Sequence, residues 1–179
     1  SPTGVGAANP NSLSAGASTL LTVTVTPGTN PPSTGLAVTG NLSAIGGSAT
    51  QQFFDNGTNG DVTAGDNIFS YQTMVGVLTP PGAKTLPVSI TDAQSRTGSA
   101  TISLTVEPPL LPIHTIQGNG NTSSYAATLV KTTGIVTGRK SNGFFIQEPD
   151  ATMDADPNTS EAVFVFTSSA PPAAAAVGN

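Results

Sequence analysis

The densest chemistry in this sequence lies between Asp55 and Asp66, where three of the ten carboxylates fall within twelve residues. Asp55, Asn59 and Asp66 stand at the first, fifth and twelfth positions of the stretch, with Gly60 at the sixth and Asp61 at the seventh. That spacing echoes a calcium loop: a hard cation wants several oxygens from a chain that glycine lets curl tightly. Position three is Gly57 rather than a carboxylate, the last ligand is Asp66 rather than a bidentate Glu, and the flanks read as strands rather than helices. The same residue types also build ordinary Asx turns between strands, so two readings stand for Asp55, Asn59, Asp61 and Asp66: calcium ligands or a hydrated connection.

A second acidic stretch holds Asp150, Asp154 and Asp156, with Glu148 and Glu161 nearby. Its D-x-x-x-D-x-D spacing offers oxygens for calcium without matching a tight motif, and a solvated loop is the simpler expectation. In either loop, repulsion among carboxylates disfavours closure without a cation, so calcium would decide whether the loop orders. A third group is Arg139 and Lys140 with Phe144 and Phe145, the residue types of a single-strand nucleic-acid surface, which combines cations with aromatic stacking platforms. Adjacent residues of a strand point to opposite faces, so only one of the two phenylalanines can face outward. Nucleophilic catalysis finds little to work with: one histidine, no cysteine and no Gly-x-Ser-x-Gly elbow. His114, following a proline-rich stretch, is expected to open a strand in a structural role.

The elements that must position these groups are strands. Charged residues make up only 8% of the chain, Gly and Pro number 20 and 15, and Thr, Ser and Val recur throughout. That mix disfavours helix interiors and favours short strands joined by many turns. Residues 19–26 alternate Thr with Leu and Val, the signature of a half-buried strand. Further strands are expected over 35–42, 50–54, 67–77, 85–91 and 100–106, with turn chemistry at 92–98 between the last two. About seven short alternating strands in such a length is the pattern of an immunoglobulin-like sandwich, here with an aliphatic and Phe core because the chain has no Cys or Trp.

Prolines 108, 109 and 112 stiffen the next stretch into a spacer. The expected organisation is an extended lead-in over 1–9, a sandwich over 10–107, a proline linker over 108–112 and a second unit over 113–179. In the second unit, strands are expected over 134–139, 143–147 and 161–167. The fold class is therefore all-β.

Two resemblances follow from these residues. The run from Phe54 through Asp55-Asn56-Gly57-Thr58-Asn59-Gly60-Asp61 to Phe69-Ser70, with Leu86-Pro87-Val88-Ser89-Ile90-Thr91-Asp92 after it, resembles bacterial immunoglobulin-like repeats of extracellular proteins. That resemblance implies a spacer or adhesive module whose acidic loop holds calcium. The second half runs from Ile113-His114-Thr115-Ile116-Gln117-Gly118 through Gly143-Phe144-Phe145-Ile146-Gln147-Glu148 to Val163-Phe164-Val165-Phe166. It resembles the OB-like domain preceding the catalytic domain in some secreted bacterial nucleases of the endonuclease/exonuclease/phosphatase type. An OB barrel has five strands and about three can be read here, so the resemblance implies the front of a longer, exported protein.

Net charge is −5, with five acidic and two basic residues over 1–107 and five against three over the rest. No basic field exists to draw nucleic acid from long range, and no stretch approaches the length of a membrane helix. The expected function is a non-catalytic spacer and binding region of a secreted nuclease-like protein, contacting single-stranded nucleic acid weakly. The alternative is an extracellular structural module, stabilised by calcium, that self-associates by adding strands at open β edges.

Overall fold

In the computed structural model, which describes residues 1–179, eleven strands and one short α-helix follow one another, with a 3-10 turn over Ser43–Ile45 between the fourth and fifth strands. They are β1 (Thr3–Asn9), β2 (Ser12–Ser14), β3 (Ser18–Thr26), β4 (Ala37–Gly40), β5 (Gln51–Phe53), β6 (Ile68–Met74), β7 (Gly82–Thr91), β8 (Thr97–Glu107), α1 (Ile113–Gln117), β9 (Ile135–Lys140), β10 (Gly143–Gln147) and β11 (Ala162–Phe166). The chain divides into two units, Ser1–Glu107 and Pro108–Asn179.

The first unit is a two-sheet sandwich. One sheet has the order β1-β3-β6 and the other β2-β8-β7-β4-β5. All pairings are antiparallel except β2 with β8. This is an all-β sandwich in which the chain passes from one sheet to the other between β1 and β2. Alternation explains the core. Leu21, Val23 and Val25 of β3 point inward, as do Leu86, Val88 and Ile90 of β7 and Ile102, Leu104 and Val106 of β8. Phe53 and Phe69 join them. Burying each such side chain stabilises by about 1.5–3 kcal/mol, so an aliphatic core holds the sandwich without the disulfide and Trp of antibody domains.

The segment expected as a lead-in is strand β1, in register with β3 from Thr3 opposite Thr26 to Asn9 opposite Leu20. Its inner face carries Gly4 and Gly6. A Cβ on Gly4 would overlap Ile90 Cδ1, and one on Gly6 would meet the Thr101 carbonyl at 2.5 Å. The missing side chains let β1 lie directly against the opposite sheet.

In the second unit, β9, β10 and β11 form an antiparallel meander with β10 in the centre. Ile113, Val136, Ile146 and Ala175 are its buried centre, with Phe144, Val163 and Val165 packed against them. Where a strand is expected to open at His114, the chain forms the single turn α1. Pro112 supplies an extended residue ahead of it, and Gly118, at φ 64°, ends it. No helix is long and apolar enough to cross a membrane.

Candidate functional site

Three constellations come together in the folded chain, one in the sandwich and two in the second unit. In the sandwich, the acidic stretch joins β5 to β6. Its turns depend on residues held at positive φ, among them Asn59 (55°) and Gly60 (95°), where a side chain would also strike Leu20 Cδ1. Asp55 acts as the organiser. Its Oδ1 accepts the N–H groups of Gly65 (2.7 Å) and Asp66 (3.1 Å), and its Oδ2 accepts that of Asn67 (3.1 Å). Asp61, 8% exposed, accepts the Gly57 N–H at 2.6 Å through Oδ2. Asp66 Oδ1 accepts the Ile68 N–H at 2.9 Å. The fold of this loop brings one carboxylate oxygen each from Asp55, Asp61 and Asp66 within 4.8 Å of one another. Asn59 bonds the adjacent strand, its carbonyl accepting the Gln72 N–H at 2.7 Å, while its amide donates to Thr58 Oγ1.

The second acidic loop folds differently from its sequence spacing. Asp154 converges with His114 and Glu161, and one donor atom of each lies within 4.8 Å of one from each of the others. Asp156 turns to Asn158, accepting its backbone and side-chain N–H groups through Oδ1. Asp150 is an exposed turn residue beside Pro149. The triad expected from spacing, Asp150, Asp154 and Asp156, is therefore replaced by one that draws on α1 and on Glu161 just ahead of β11.

At its centre is His114. Glu148, at the end of β10 and 4% exposed, binds it twice: Oε1 accepts the His114 backbone N–H at 2.8 Å and Oε2 sits 3.1 Å from Nδ1. Glu161 Oε2 lies 3.6 Å from Nδ1, and Asp154 Oδ2 lies 4.0 Å from Nε2. Burial alone would favour the neutral ring. The Glu148 hydrogen bond and the charges of Glu148, Asp154 and Glu161 outweigh it and raise the imidazole above its ordinary value. Asp154 is held below the usual carboxylate range, mainly by the Thr159 hydroxyl donating to Oδ1 at 2.9 Å, with the Asp156 N–H and His114 adding to it. Spacing carries no sign of this cluster, because its members come from α1, the residue just after β10 and the loop before β11. The one available signal was two glutamates flanking the acidic stretch, Glu148 and Glu161.

The third constellation lies on the face of the meander opposite its core. Phe145 and Phe164 are cross-strand partners with ring centroids 4.9 Å apart, inclined at 51°. The Lys140 ammonium stands 5.5 Å from one centroid and 5.9 Å from the other. Phe166, two residues beyond Phe164 and so on the same face, is 65% exposed. Of the four residues singled out from sequence, Lys140 and Phe145 belong to this face. Phe144 packs against the core, and Arg139 is bound to the carbonyls of Pro171 (2.8 Å) and Pro172 (3.4 Å). Phe164 and Phe166 complete the surface; the alternation of Val and Phe in 163–166 shows that they share a face but not that they lie opposite Phe145.

Neither protein-family models nor curated proteins yield a match to this chain.

Proposed function

We propose that this chain is a non-catalytic spacer and binding region of a secreted bacterial nuclease-like protein, and that its second unit contacts single-stranded nucleic acid. The observation that carries the reading is the aromatic face of the meander. Phe145, Phe164 and Phe166 offer stacking surface for bases, and Lys140 supplies a cation for a neighbouring phosphate. Such a surface is sequence-tolerant, because every base has a π face. The resemblance of residues 113–166 to the OB-like domain of secreted nucleases supports the same role.

The test is fluorescence anisotropy of a labelled oligothymidine with the intact chain in low salt. Phe166→Ala and Lys140→Ala touch exposed groups and leave the core in place. Stacking is worth about 1–3 kcal/mol per base, so Phe166→Ala is expected to weaken binding about 5- to 100-fold. No binding at low salt, or equal binding by both variants, would overturn the proposal.

A second reading, an extracellular structural module stiffened by calcium and joined to its neighbours through β edges, draws on the convergence of Asp55, Asp61 and Asp66. Its signature is large species in sedimentation velocity without nucleic acid that dissociate in chelator.

A further inference from the structure

The His114 cluster contains more negative charge than its hydrogen bonds resolve. Three carboxylates, Glu148, Asp154 and Glu161, surround one imidazole. Glu148 is fully engaged: one oxygen takes the backbone N–H, and the other takes Nδ1. With Nδ1 acting as donor, Nε2 carries the free lone pair, and Nε2 is the nitrogen that faces Asp154. Asp154 Oδ1 already accepts from Asp156 and Thr159, which leaves Oδ2 pointing toward the ring. Glu161 Oε2 is sealed from solvent and has no hydrogen-bond partner.

A second proton on the ring does not solve this. At 4.0 Å the pair of Nε2 and Asp154 Oδ2 is too long for a hydrogen bond, and the Glu161 oxygen would still lack a donor. A cation at the Nε2 lone pair, beside Asp154 Oδ2, would satisfy all of them once the Glu161 carboxylate, now 3.6 Å from Nδ1, swings across the ring edge to meet it. Zinc–nitrogen and zinc–oxygen bonds are about 2.0–2.2 Å, and one donor atom from each of the three residues already lies within 4.8 Å of the others, so side-chain rotation, greatest for Glu161, brings them to an ion. A nitrogen ligand among carboxylates suits zinc and its neighbours rather than calcium or magnesium, which take oxygen. Glu148 supplies the usual companion of such a site, a carboxylate that accepts the far ring N–H and fixes the tautomer.

We propose that His114, Asp154 and Glu161 form a binding site for a divalent transition-metal ion, zinc in the first instance, and that Glu148 orients the imidazole for it. The site is distinct from the Asp55–Asp66 loop and does not depend on the nucleic-acid reading. Closing on the ion ties α1 to the acidic loop and to the residue ahead of β11, so the metal would fasten the least regular part of the second unit.

His114 is the only histidine in the chain, and this makes the test direct. The untagged full chain at pH 7.5 is titrated with zinc chloride while the histidine ring resonances are followed by NMR. The expected result is a shift that saturates at one zinc per chain, with millimolar calcium chloride producing none. By calorimetry, Glu161→Gln and Asp154→Asn should each weaken zinc binding at least tenfold, and Glu148→Gln about 10- to 100-fold, as loss of an orienting carboxylate does. Asp61→Asn, in the sandwich, should leave zinc binding unchanged. Ring resonances that stay fixed in zinc, or equal zinc affinity in Glu161→Gln, would overturn the proposal and leave the cluster as an ion pair. These amide variants keep side-chain shape, so the outcome does not hang on a substitution that removes the histidine itself.

Discussion

Asp92 shows how much one enclosed carboxylate can organise. Its side chain is shut off from solvent and receives the guanidinium of Arg96 at 2.7 Å, the Ser33 hydroxyl at 2.8 Å and the N–H groups of Gln94 and Arg96. Burial on its own would raise the carboxyl, but the Arg96 and Ser33 hydrogen bonds and the Arg96 charge hold it at about 2, below the ordinary 3.8. A carboxyl whose folded value is depressed stabilises fully above its unfolded value and loses that contribution as pH falls through the folded one. The expected outcome is that thermal unfolding of wild type and Asp92→Asn differs by a constant interval above about pH 4, and that the interval narrows toward pH 2. A gap that ignores pH would refute the assignment. Gly143 makes a steric prediction in the second unit. A Cβ there would overlap both Phe164 Cζ and the Val165 carbonyl, and backbone cannot swing aside as a flexible side chain can. Gly143→Ala is expected to cost about 1–3 kcal/mol in denaturant unfolding and to separate the Phe145–Phe164 pair. The role of His114 was illegible in sequence at this scale, because a lone histidine after prolines carries no trace of the three carboxylates that long-range folding brings to it.

At the scale of elements, legibility followed alternation. Strands β3, β7 and β8 could be read because Thr and Ser alternate with Leu, Ile and Val, and that period alone orients their faces. Strand β1 could not. Its inner positions are Gly4 and Gly6, which carry no hydrophobic signal yet are what allows the close approach to Thr101. The loop between β5 and β6 was legible as a composition, and the convergence of Asp55, Asp61 and Asp66 follows from turns that the glycines of that stretch permit. If the loop takes calcium at the affinity of extracellular modules, with Kd about 10⁻⁴–10⁻³ M, then 10 mM calcium stabilises the sandwich by about 1.4–2.7 kcal/mol through mass action. Calorimetry in calcium and then in chelator should show a rise of several degrees in its Tm. Asp61→Asn removes the rise if this carboxylate is a ligand; an equal rise in that variant would show calcium acting elsewhere.

For the whole molecule, the sign of the charge constrains any partner. At −5 overall, the chain repels a polyanion at long range, so encounter with nucleic acid cannot be steered and affinity must come from contact. The second unit is itself acidic, five carboxylates against three basic residues, and Arg139 is occupied with Pro171 and Pro172. Of the remaining two, Lys131 and Lys140, it is Lys140 that stands over the rings that would stack a base and so is placed to meet a neighbouring phosphate. Each phosphate neutralised on a single strand contributes about −0.7 to the slope of log affinity against log salt. A surface with one effective cation should therefore show a slope near −0.7, far shallower than that of a basic groove. Stacking, in contrast, is nearly indifferent to salt. Measured from 20 to 200 mM salt, Lys140→Ala should flatten the slope almost to zero, whereas Phe166→Ala should lower affinity at every salt concentration by a similar factor. A steep slope of −3 or beyond would point to several phosphate contacts that this acidic chain does not supply on the aromatic face, and would place nucleic-acid binding elsewhere.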